Sequence, residues 1–260
     1  MKMAILTTAR KPDNSTRLRA NRLSLETGIP FIERGNLSLE LLISEYEQVL
    51  LVEKQKFACH TTAGELFFHP NLSALRIKNL RQGAEDFLCT AMQLQPGDQV
   101  LDCTAGLCAD SIVASFVVGD HGQVTALEAS LYIYLVVREG IRAKMAPSRL
   151  QAAVERINLV HADYRTFLNQ LPAKSYDIVY FDPMFAIPVQ KSSAFTPLRP
   201  LAEYNTLTKA VLEQAARVAR RVVVVKERSF FDFEKLGLDR VIGGKGSKIA
   251  YGIYAPGGSL

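Results

Sequence analysis

The sequence predicts an α/β fold whose larger part is a mostly parallel sheet with helices on both faces. From residue 99 onward, helical segments alternate with five apolar strand segments, "QVLDCT", "QVTALEA", "INLVHAD", "YDIVYFD" and "RRVVVVKE". Near-continuous apolar strands separated by helices are typical of parallel sheets that are buried on both faces. The apolar periodicity predicts the helices at about 109–118, 131–144, 164–170 and 201–219.

The end of the chain departs from this alternation. The segments "DRVIGG" and "KIAYGIYAP" are separated only by a short turn of glycine and lysine, so we expect them to pair antiparallel. Five parallel units closed by such a pair are the layout of a Rossmann-like methyltransferase sheet. A generic dinucleotide-binding fold is the alternative interpretation.

A smaller α/β region is predicted before this sheet. Its strands are "MAILTTA", "PFIER", "QVLLVEK", "KFACHTT" and "ELFFH", and its helices are residues 17–27 and "SLELLISEY". A helix capped by Asn71 and followed by Gly83 comes next, and another helix is expected at about 85–94. We therefore predict a small N-terminal α/β domain over residues 1–83 and the main domain over residues 84–260.

The composition limits the class of protein. The 260 residues suit one large domain or a standard domain with a small one, and 48% hydrophobic with 22% charged residues is ordinary for a globular protein. The longest apolar runs, such as "VVVV" at 222–225, are too short to span a bilayer, and the first residues show no secretory signal. We therefore expect a cytoplasmic protein without a membrane segment.

The cysteines and the net charge exclude one kind of site and leave another open. The cysteines form no C-x-x-C pair, since they lie at Cys59, Cys89, Cys103 and Cys108. We therefore expect free thiols in a reducing cytosol, and we predict no metal site. The net charge of +5 fits either an ordinary basic protein or a surface that binds polyanions.

Acidic residues follow four consecutive predicted strands. The first strand runs through "LDCTAGLCAD", which starts with Asp102, turns at Thr104-Ala105-Gly106 and reaches Asp110 in the next helix. The next three strands end at Glu128, Asp163 and Asp182. Because ligands of open α/β sheets bind at the carboxyl ends of the strands, we expect these acids to meet at one site. The alternative is that they only cap helices or complement helix dipoles.

The types of residue at these strand ends favour a cationic nucleoside cofactor. Glu128 can accept hydrogen bonds from both hydroxyls of a ribose, and Asp163 can reach the amino group of an adenine. The chain has no G-x-G-x-x-G segment after its strands, which argues against a bound pyrophosphate. S-adenosyl-L-methionine (SAM) is a sulfonium with a ribose and an adenine and without a phosphate. Asp102, Glu128 and Asp163 would flank it.

Residues 99–254 resemble the RsmJ-type methyltransferases, which modify the exocyclic amine of a guanine in small-subunit ribosomal RNA. The matching segments are "LDCTAGLCAD", "ALEAS", "LVHAD", "YFDPMF" with "QKSSA", "RRVVVVKE" and "KGSKIAYGIY". The resemblance implies that SAM is the cofactor, and it places cofactor contacts at Ala109-Asp110, Glu128-Ala129, Asp163-Tyr164 and Asp182. This sequence departs from the family at Cys108, where the family usually has glycine.

The segment "DPMF" after the fourth strand suggests how the amine would react. Asp182 and a backbone carbonyl near Pro183 would accept the amine hydrogens, and Phe185 would stack on the base, which contributes about 1–3 kcal/mol. Proline has a fixed φ and no N–H, so Pro183 stiffens this turn. The alternative is a strand that ends at a capping acid, with Phe185 in the core.

Basic residues near the same edge suggest a substrate. We expect a cationic rim around the pocket that contacts the phosphates of RNA, made of Lys191, Arg199, Lys226, Arg228 and Lys245. Scattered solubilising charges are the alternative. His161, inside the third strand, is interpreted as a core histidine.

These observations together predict a SAM-dependent N-methyltransferase that acts on the exocyclic amine of a guanine in ribosomal RNA or in the small ribosomal subunit. Two alternatives stay open. One is an amino methyltransferase that acts on another nucleic acid or on a protein amide. The other is a non-catalytic RNA-binding protein with a degenerate SAM fold.

Overall fold

The computed structural model describes residues 4–144, 146–183, 197–202, 207–238, 240–244 and 246–255, without the side chains of Arg149 and Arg199. The described residues form two compact units. The first lies within Met1–His69, Leu135–Met145 and Val189–Leu201, and the second within Pro70–Tyr134, Ala146–Pro188 and Ala202–Leu260. The assignment of residues 1–83 as a separate domain stays a prediction.

The first unit is built on a four-stranded sheet. Its strands, in spatial order, are β1 (Ile5–Thr8), β2 (Val49–Val52), β3 (Phe57–Thr61) and β4 (Gly64–Phe67). Helices α1 (Asn14–Thr27) and α2 (Leu39–Glu45) lie between β1 and β2 in the chain. They allow β1 and β2 to run parallel, whereas the two following pairs are antiparallel because their connections are short.

The predicted strand "PFIER" is wrong. This segment makes a single parallel bridge, in which Pro30 and Ile32 bond to the backbone of Leu6. Gly28, at φ +71°, ends α1 just before it, and the chain turns again at Gly35. Two turns and a proline without an N–H leave room for one bridge but not for a ladder.

The second unit contains a seven-stranded sheet among the described residues. Its strands are β5 (Gln99–Asp102), β6 (Gln123–Glu128), β7 (Ile157–His161), β8 (Tyr176–Phe181), β9 (Ala219–Arg228), β10 (Arg240–Gly243) and β11 (Ile249–Tyr254). The spatial order is β10-β11-β9-β8-β5-β6-β7. Strands β5 to β9 pair parallel, and β11 pairs antiparallel with both β9 and β10. The predicted fold class, a mostly parallel methyltransferase-type sheet with an antiparallel end, is confirmed.

The remaining helices are α3 (Asn71–Arg81), α4 (Phe87–Met92), α5 (Ala109–Val118), α6 (Leu131–Arg142), α7 (Ser148–Glu155), α8 (Tyr164–Gln170) and α9 (Lys209–Val218). Three of them differ from expectation. Asn71 is the first residue of α3 rather than its cap. The sequence reading did not predict α7, and α9 begins only at Lys209, because the side chain of Thr208 accepts the N–H of Val211 and caps the helix there.

The core of the second unit brings the strand ends to one edge. The side chains of β8 and β9 are largely buried and pack with those of α9 in one apolar cluster. Asp102 of β5 lies opposite Tyr180 of β8, and Phe181 lies opposite Val225 of β9. The next residues along β8 and β9, Asp182 and Lys226, are therefore neighbours at the carboxyl edge. None of the helices within the described residues is both long and apolar enough to span a bilayer.

Candidate active site

The loop that follows β5 is fixed by a buried carboxylate. Asp102 is 2% exposed, and it accepts the backbone N–H of Thr104 at 3.0 Å and the hydroxyl of Ser111 at 2.5 Å. Gly106 has φ +51°, and a Cβ at this position would meet no atom within 4 Å. The loop therefore exposes its backbone at Gly106, as a close approach to a ligand requires.

Cys108 completes the turn into α5 in an unusual conformation. It is fully buried and has φ +59°, in the left-handed region that glycine favours. This is the position at which the resembling methyltransferases usually have glycine. The cysteine thus keeps a backbone shape that suits glycine, because its N–H bonds to Ala105 and its C=O accepts from Ile112.

Glu128 connects the ends of β5 and β6. Its carboxylate is 8% exposed and accepts the N–H groups of Gly106 at 2.9 Å and Ser130 at 2.8 Å. Burial raises the pKa of Glu128 to about 7, against the effect of these backbone bonds. Burial also raises the pKa of Asp102 to about 7. Both acids therefore lie in a setting that favours a cationic or hydroxyl-bearing ligand.

A lysine lies between two further carboxylates of the site. The Lys226 Nζ is 2.8 Å from Asp110 Oδ2 and 2.6 Å from Asp182 Oδ2. The hydroxyl of Tyr180 donates to Asp110 Oδ2 at 2.7 Å, and Thr104 Oγ1 accepts the N–H of Asp182 at 2.6 Å. The ends of β5, β8 and β9 and the start of α5 are therefore bonded to one another through polar groups.

The two carboxylates differ in their electrostatics. Burial alone would raise the pKa of Asp110, but Lys226 and Arg76 outweigh it and hold this pKa well below its usual range. For Asp182, burial raises the pKa and Lys226 only partly opposes it. Burial would lower the pKa of Lys226, but the two carboxylates raise it, so the lysine stays charged.

Arg76 extends this ion-pair network to α3 and α4. Its Nη1 bonds to Asp110 Oδ1, and it forms two bonds of 2.7 Å with Asp86. Asp86 in turn accepts the N–H of Leu88 at 3.0 Å and caps α4. The geometry of the site is thus coupled to helices that precede the parallel sheet.

The end of β7 has a different character. Asp163 caps α8 by accepting the N–H of Arg165, and its carboxylate also pairs with the Arg165 guanidinium at 2.5 Å. These bonds lower the pKa of Asp163.

The interpretation of His161 as a core histidine is wrong, because β7 is the edge strand of the sheet. The imidazole ring is exposed, stacks on Tyr134 and lies 3.1 Å from the C=O of Ala129.

Most of the predicted cofactor residues lie at this edge. The residues at the ends of β5, β6 and β8 and at the start of α5 are Asp102, Thr104, Ala105, Gly106, Ala109, Asp110, Glu128, Ala129 and Asp182. Tyr164, beside Asp163, is 5% exposed and packs edge-on against Phe181. Pro183 follows Asp182 and is partly buried.

The predicted cationic rim is only partly described. Phe185, Lys191 and Lys245 lie outside the described residues, as does the side chain of Arg199. Arg228 lies at the end of β9 and pairs in register with Ile249. The placement of Lys226 at the rim is corrected: its side chain is 18% exposed and its ammonium bonds to two carboxylates, so it lies inside the site.

The sequence reading missed Arg76 and the internal role of Lys226. The sequence did contain a signal for Lys226, because this lysine directly follows four valines of a buried strand. A charged group at such a position needs a partner of opposite charge. Arg76 gave no such signal, since it is one of several basic residues in α3.

Comparisons with known proteins show the family and the fold. A family model described as "Putative SAM-dependent methyltransferase" matches residues 32–238. The "Uncharacterized protein YpiP" of Bacillus subtilis is 38% identical over 226 residues, which cover 86% of this chain and 88% of that protein. The crystal structure of a SAM-dependent methyltransferase from Neisseria gonorrhoeae has the same fold, with a TM-score of 0.66, 19% identity and coverage of 98% and 97% of the two chains.

Two more distant relatives are ribosomal RNA enzymes. The ribosomal RNA small subunit methyltransferase J of Dechloromonas aromatica is 31% identical over 153 residues, which cover 55% of this chain and 60% of that protein. The enzyme of the same name from Francisella tularensis subsp. novicida is 30% identical over 162 residues, with 60% and 63% covered. The chain thus spans about three fifths of these two relatives. From the family match and the fold, the chain belongs to the SAM-dependent methyltransferases and uses S-adenosyl-L-methionine as its cofactor.

Proposed function

We propose that this methyltransferase modifies the exocyclic amine of a guanine in small-subunit ribosomal RNA. The observation that carries the proposal is the Asp182-Pro183 pair at the carboxyl end of β8, beside the acids that end β5 and β6. The names of the two more distant relatives support this class of substrate.

The residues at the sheet edge fit the cofactor. Glu128 would accept the hydroxyls of the ribose, and Asp163 would accept the adenine amine. The open backbone at Gly106 and the buried carboxylate of Asp102 suit the cationic amino-acid part. When bound, S-adenosyl-L-methionine supplies an electrophilic methyl group on a sulfonium sulfur.

The side chains near Asp182 would prepare the amine. An exocyclic amine of guanine is a poor nucleophile because its lone pair is delocalised into the ring. Asp182 and the C=O of Pro183 would accept its two hydrogens and so favour the pyramidal form that attacks. Once the nitrogen had gained the methyl group from the sulfonium sulfur, which would leave as the thioether S-adenosylhomocysteine, the nitrogen would be cationic, and Asp182 would take the proton that it loses.

Orientation supplies most of the acceleration in this scheme. The backbone of Asp182 is held by Thr104 and its side chain by Lys226, so the acceptor has little freedom to turn away. Phe185 would stack on the base.

Nucleoside mapping by mass spectrometry tests the proposal. Ribosomal RNA from a strain that lacks the protein should lose one N2-methylguanosine, and purified protein with SAM should restore it on naked RNA or on assembled subunits. Asp182→Asn should fail to restore it. Asp177→Asn, at the other end of β8, is the matched control and should restore it. Restoration of a different modified base, or of none, would contradict the proposal.

A further inference from the structure

We propose that Lys226 is a positioning residue for methyl transfer, whose ammonium group orients the Asp182 carboxylate and keeps it an acceptor. This inference rests on the proposed function of Asp182. It assigns to a lysine inside the site a role distinct from the phosphate contact that the sequence suggested.

The contacts of Lys226 restrict Asp182 on one side. The ammonium lies 2.6 Å from Asp182 Oδ2, and the Asp182 N–H donates to Thr104 Oγ1 at 2.6 Å. With the backbone and one carboxylate oxygen held in this way, the carboxyl plane is defined. The other oxygen, Oδ1, is the one we assign to the amine.

Lys226 is itself held from the opposite side. Asp110 Oδ2 lies 2.8 Å from its ammonium and also accepts the hydroxyl of Tyr180. Arg76 occupies the other oxygen of Asp110. Charges of opposite sign thus alternate from Arg76 to Asp182, which fixes the ammonium between its two partners.

A role in folding alone explains this arrangement poorly. Taking charged groups out of water costs free energy that their attraction often does not repay, so apolar side chains of similar size would stabilise the fold at least as well. At the amino end of β8 an arginine of β9 also pairs with an aspartate, but the carboxylate of that residue, Asp177, accepts a backbone N–H as well and so holds the chain in place. The pairing at the carboxyl edge is therefore better explained by the chemistry of Asp182.

Removal of Lys226 would change the charge state of Asp182. Burial already raises the pKa of this carboxyl, and Lys226 opposes that rise. Without the ammonium the pKa rises further, which favours the protonated carboxyl, and a protonated carboxyl oxygen would donate where it must accept. The Asp182 carboxyl interacts electrostatically with the charged and titratable groups around it. These include Lys226, Asp110, Arg76, Asp102, Glu227, Tyr180 and Tyr251.

The main test compares Lys226→Met and Lys226→Arg with Arg221→Met. Arg221 lies at the amino end of the same strand and pairs with the buried Asp98 at 2.5 Å, so it controls for loss of a strand-bound cation. We expect Lys226→Met to lower kcat at pH 7 by about 100-fold or more, with partial recovery as the pH rises. Lys226→Arg should recover most of kcat, and Arg221→Met should keep the wild-type pH profile of kcat.

A second measurement separates this inference from the proposed function. Infrared difference titration without RNA follows the protonated carboxyl band of Asp182, which is identified by its absence in Asp182→Asn. The midpoint should lie at higher pH in Lys226→Met than in the wild type, whatever substrate the enzyme uses. If Lys226→Met is too unstable, the double variant with Asp110→Asn removes the charge of a carboxylate that has lost one of its two cationic partners. An unchanged midpoint, or an unchanged pH profile of kcat, would overturn the role of Lys226.

Discussion

An aspartate lies at each end of β8 and pairs with a basic residue of β9, but the surroundings of the two aspartates differ. At the amino end, Asp177 pairs with Arg220 at 3.1 Å and accepts the N–H of Gln99 at 2.8 Å. At the carboxyl end, Asp182 pairs with Lys226 at 2.6 Å. The pKa of Asp177 is lowered because the backbone N–H and the arginine outweigh its burial, whereas burial dominates at Asp182 and raises its pKa.

The difference supports our proposal that the pair at the carboxyl end serves the site, whereas the pairs at the amino end serve the fold. Asp98 directly precedes β5 and is bonded in the same way as Asp177. It accepts the N–H of Gln95 at 2.7 Å and pairs with Arg221. The carboxylate of Asp177 thus holds the first residue of β5, and that of Asp98 holds the turn before this strand. The N–H of Asp182, and not its carboxylate, bonds to the loop at Thr104, and Lys226 bonds to Oδ2, so our proposal assigns the other oxygen, Oδ1, to the ligand.

The largest expected effect is the contrast between Asp182→Asn and Asp177→Asn. The first removes the proposed acceptor of the amine, so kcat should fall about 100-fold to 10,000-fold while affinity for S-adenosylhomocysteine changes little. The second should cost only stability. Steady-state kinetics with ribosomal RNA and calorimetry with S-adenosylhomocysteine check both. Equal kinetic losses at the two ends would remove the distinction between them.

The acids at the carboxyl edge could be predicted from the sequence, because strand ends can be located without coordinates, whereas the paired acids at the amino end, Asp177 and Asp98, were not predicted. The runs "VLD", "TALE" and "DIVYFD" place acids at the edge where ligands bind, and the fold follows from the same runs. Helix α7 was not predicted because its apolar face is short: its buried apolar residues are Leu150, Ala153 and Val154. "PFIER" misled because β-propensity does not show how many residues can pair: the segment reaches β1 at Leu6, but the turns around it limit the pairing to one bridge.

The ion-pair network could not be predicted in the same way. Arg76 and Asp110 are 34 positions apart, and Lys226 and Asp110 are 116 apart. Such pairs depend on the packing of helices on the sheet and on strand order, which no local pattern specifies. The sequence therefore indicates which residue types reach the edge, and the coordinates show which of them bind one another.

The next largest effect is expected for the cofactor at the end of β6. Glu128→Gln should weaken S-adenosylhomocysteine by about 1.5–3 kcal/mol, because the ribose hydroxyls lose a charged acceptor. Glutamine can still accept one of the two N–H groups that Glu128 holds, so the loop at Gly106 should keep its place better than in an alanine variant. Calorimetry measures the loss, and wild-type affinity would contradict the placement of the ribose.

A smaller effect concerns the dependence of stability on pH. The pKa of Asp102 is about 7 in the folded protein, against 3.8 when unperturbed, so between these values the folded state binds more protons than the unfolded state. The contribution of Asp102 to the free energy of unfolding is therefore fully present below about pH 4. It is lost as the pH rises towards 7, by up to about 1.4 kcal/mol per pH unit. In Asp102→Asn this contribution is absent.

Urea denaturation of the cofactor-free protein at pH 5, 6 and 7 checks this sign. Relative to the wild type, Asp102→Asn should gain stability as the pH rises, because the buried asparagine stays neutral where the buried aspartate becomes ionised. Its amide can bond to Ser111 and its carbonyl can still accept from Thr104, so the loop keeps its contacts. Every other titrating group is present in both proteins, so the difference reports Asp102 together with its effect on neighbouring acids such as Glu128. A difference that stays constant with pH would show that Asp102 is ionised in the folded protein throughout this range.

The smallest effect concerns the backbone of the loop at the carboxyl edge. Cys108→Gly and Cys108→Ala both remove the buried sulfur, but only glycine adopts φ +59° without strain. Glycine should therefore be more stable than alanine here by about 1 kcal/mol. At Cys103, in the same loop but without a positive φ, the order should reverse, since glycine loses more backbone entropy. Urea denaturation of the four variants measures both differences. If alanine equals glycine at position 108, the left-handed turn at the start of α5 is not retained in solution.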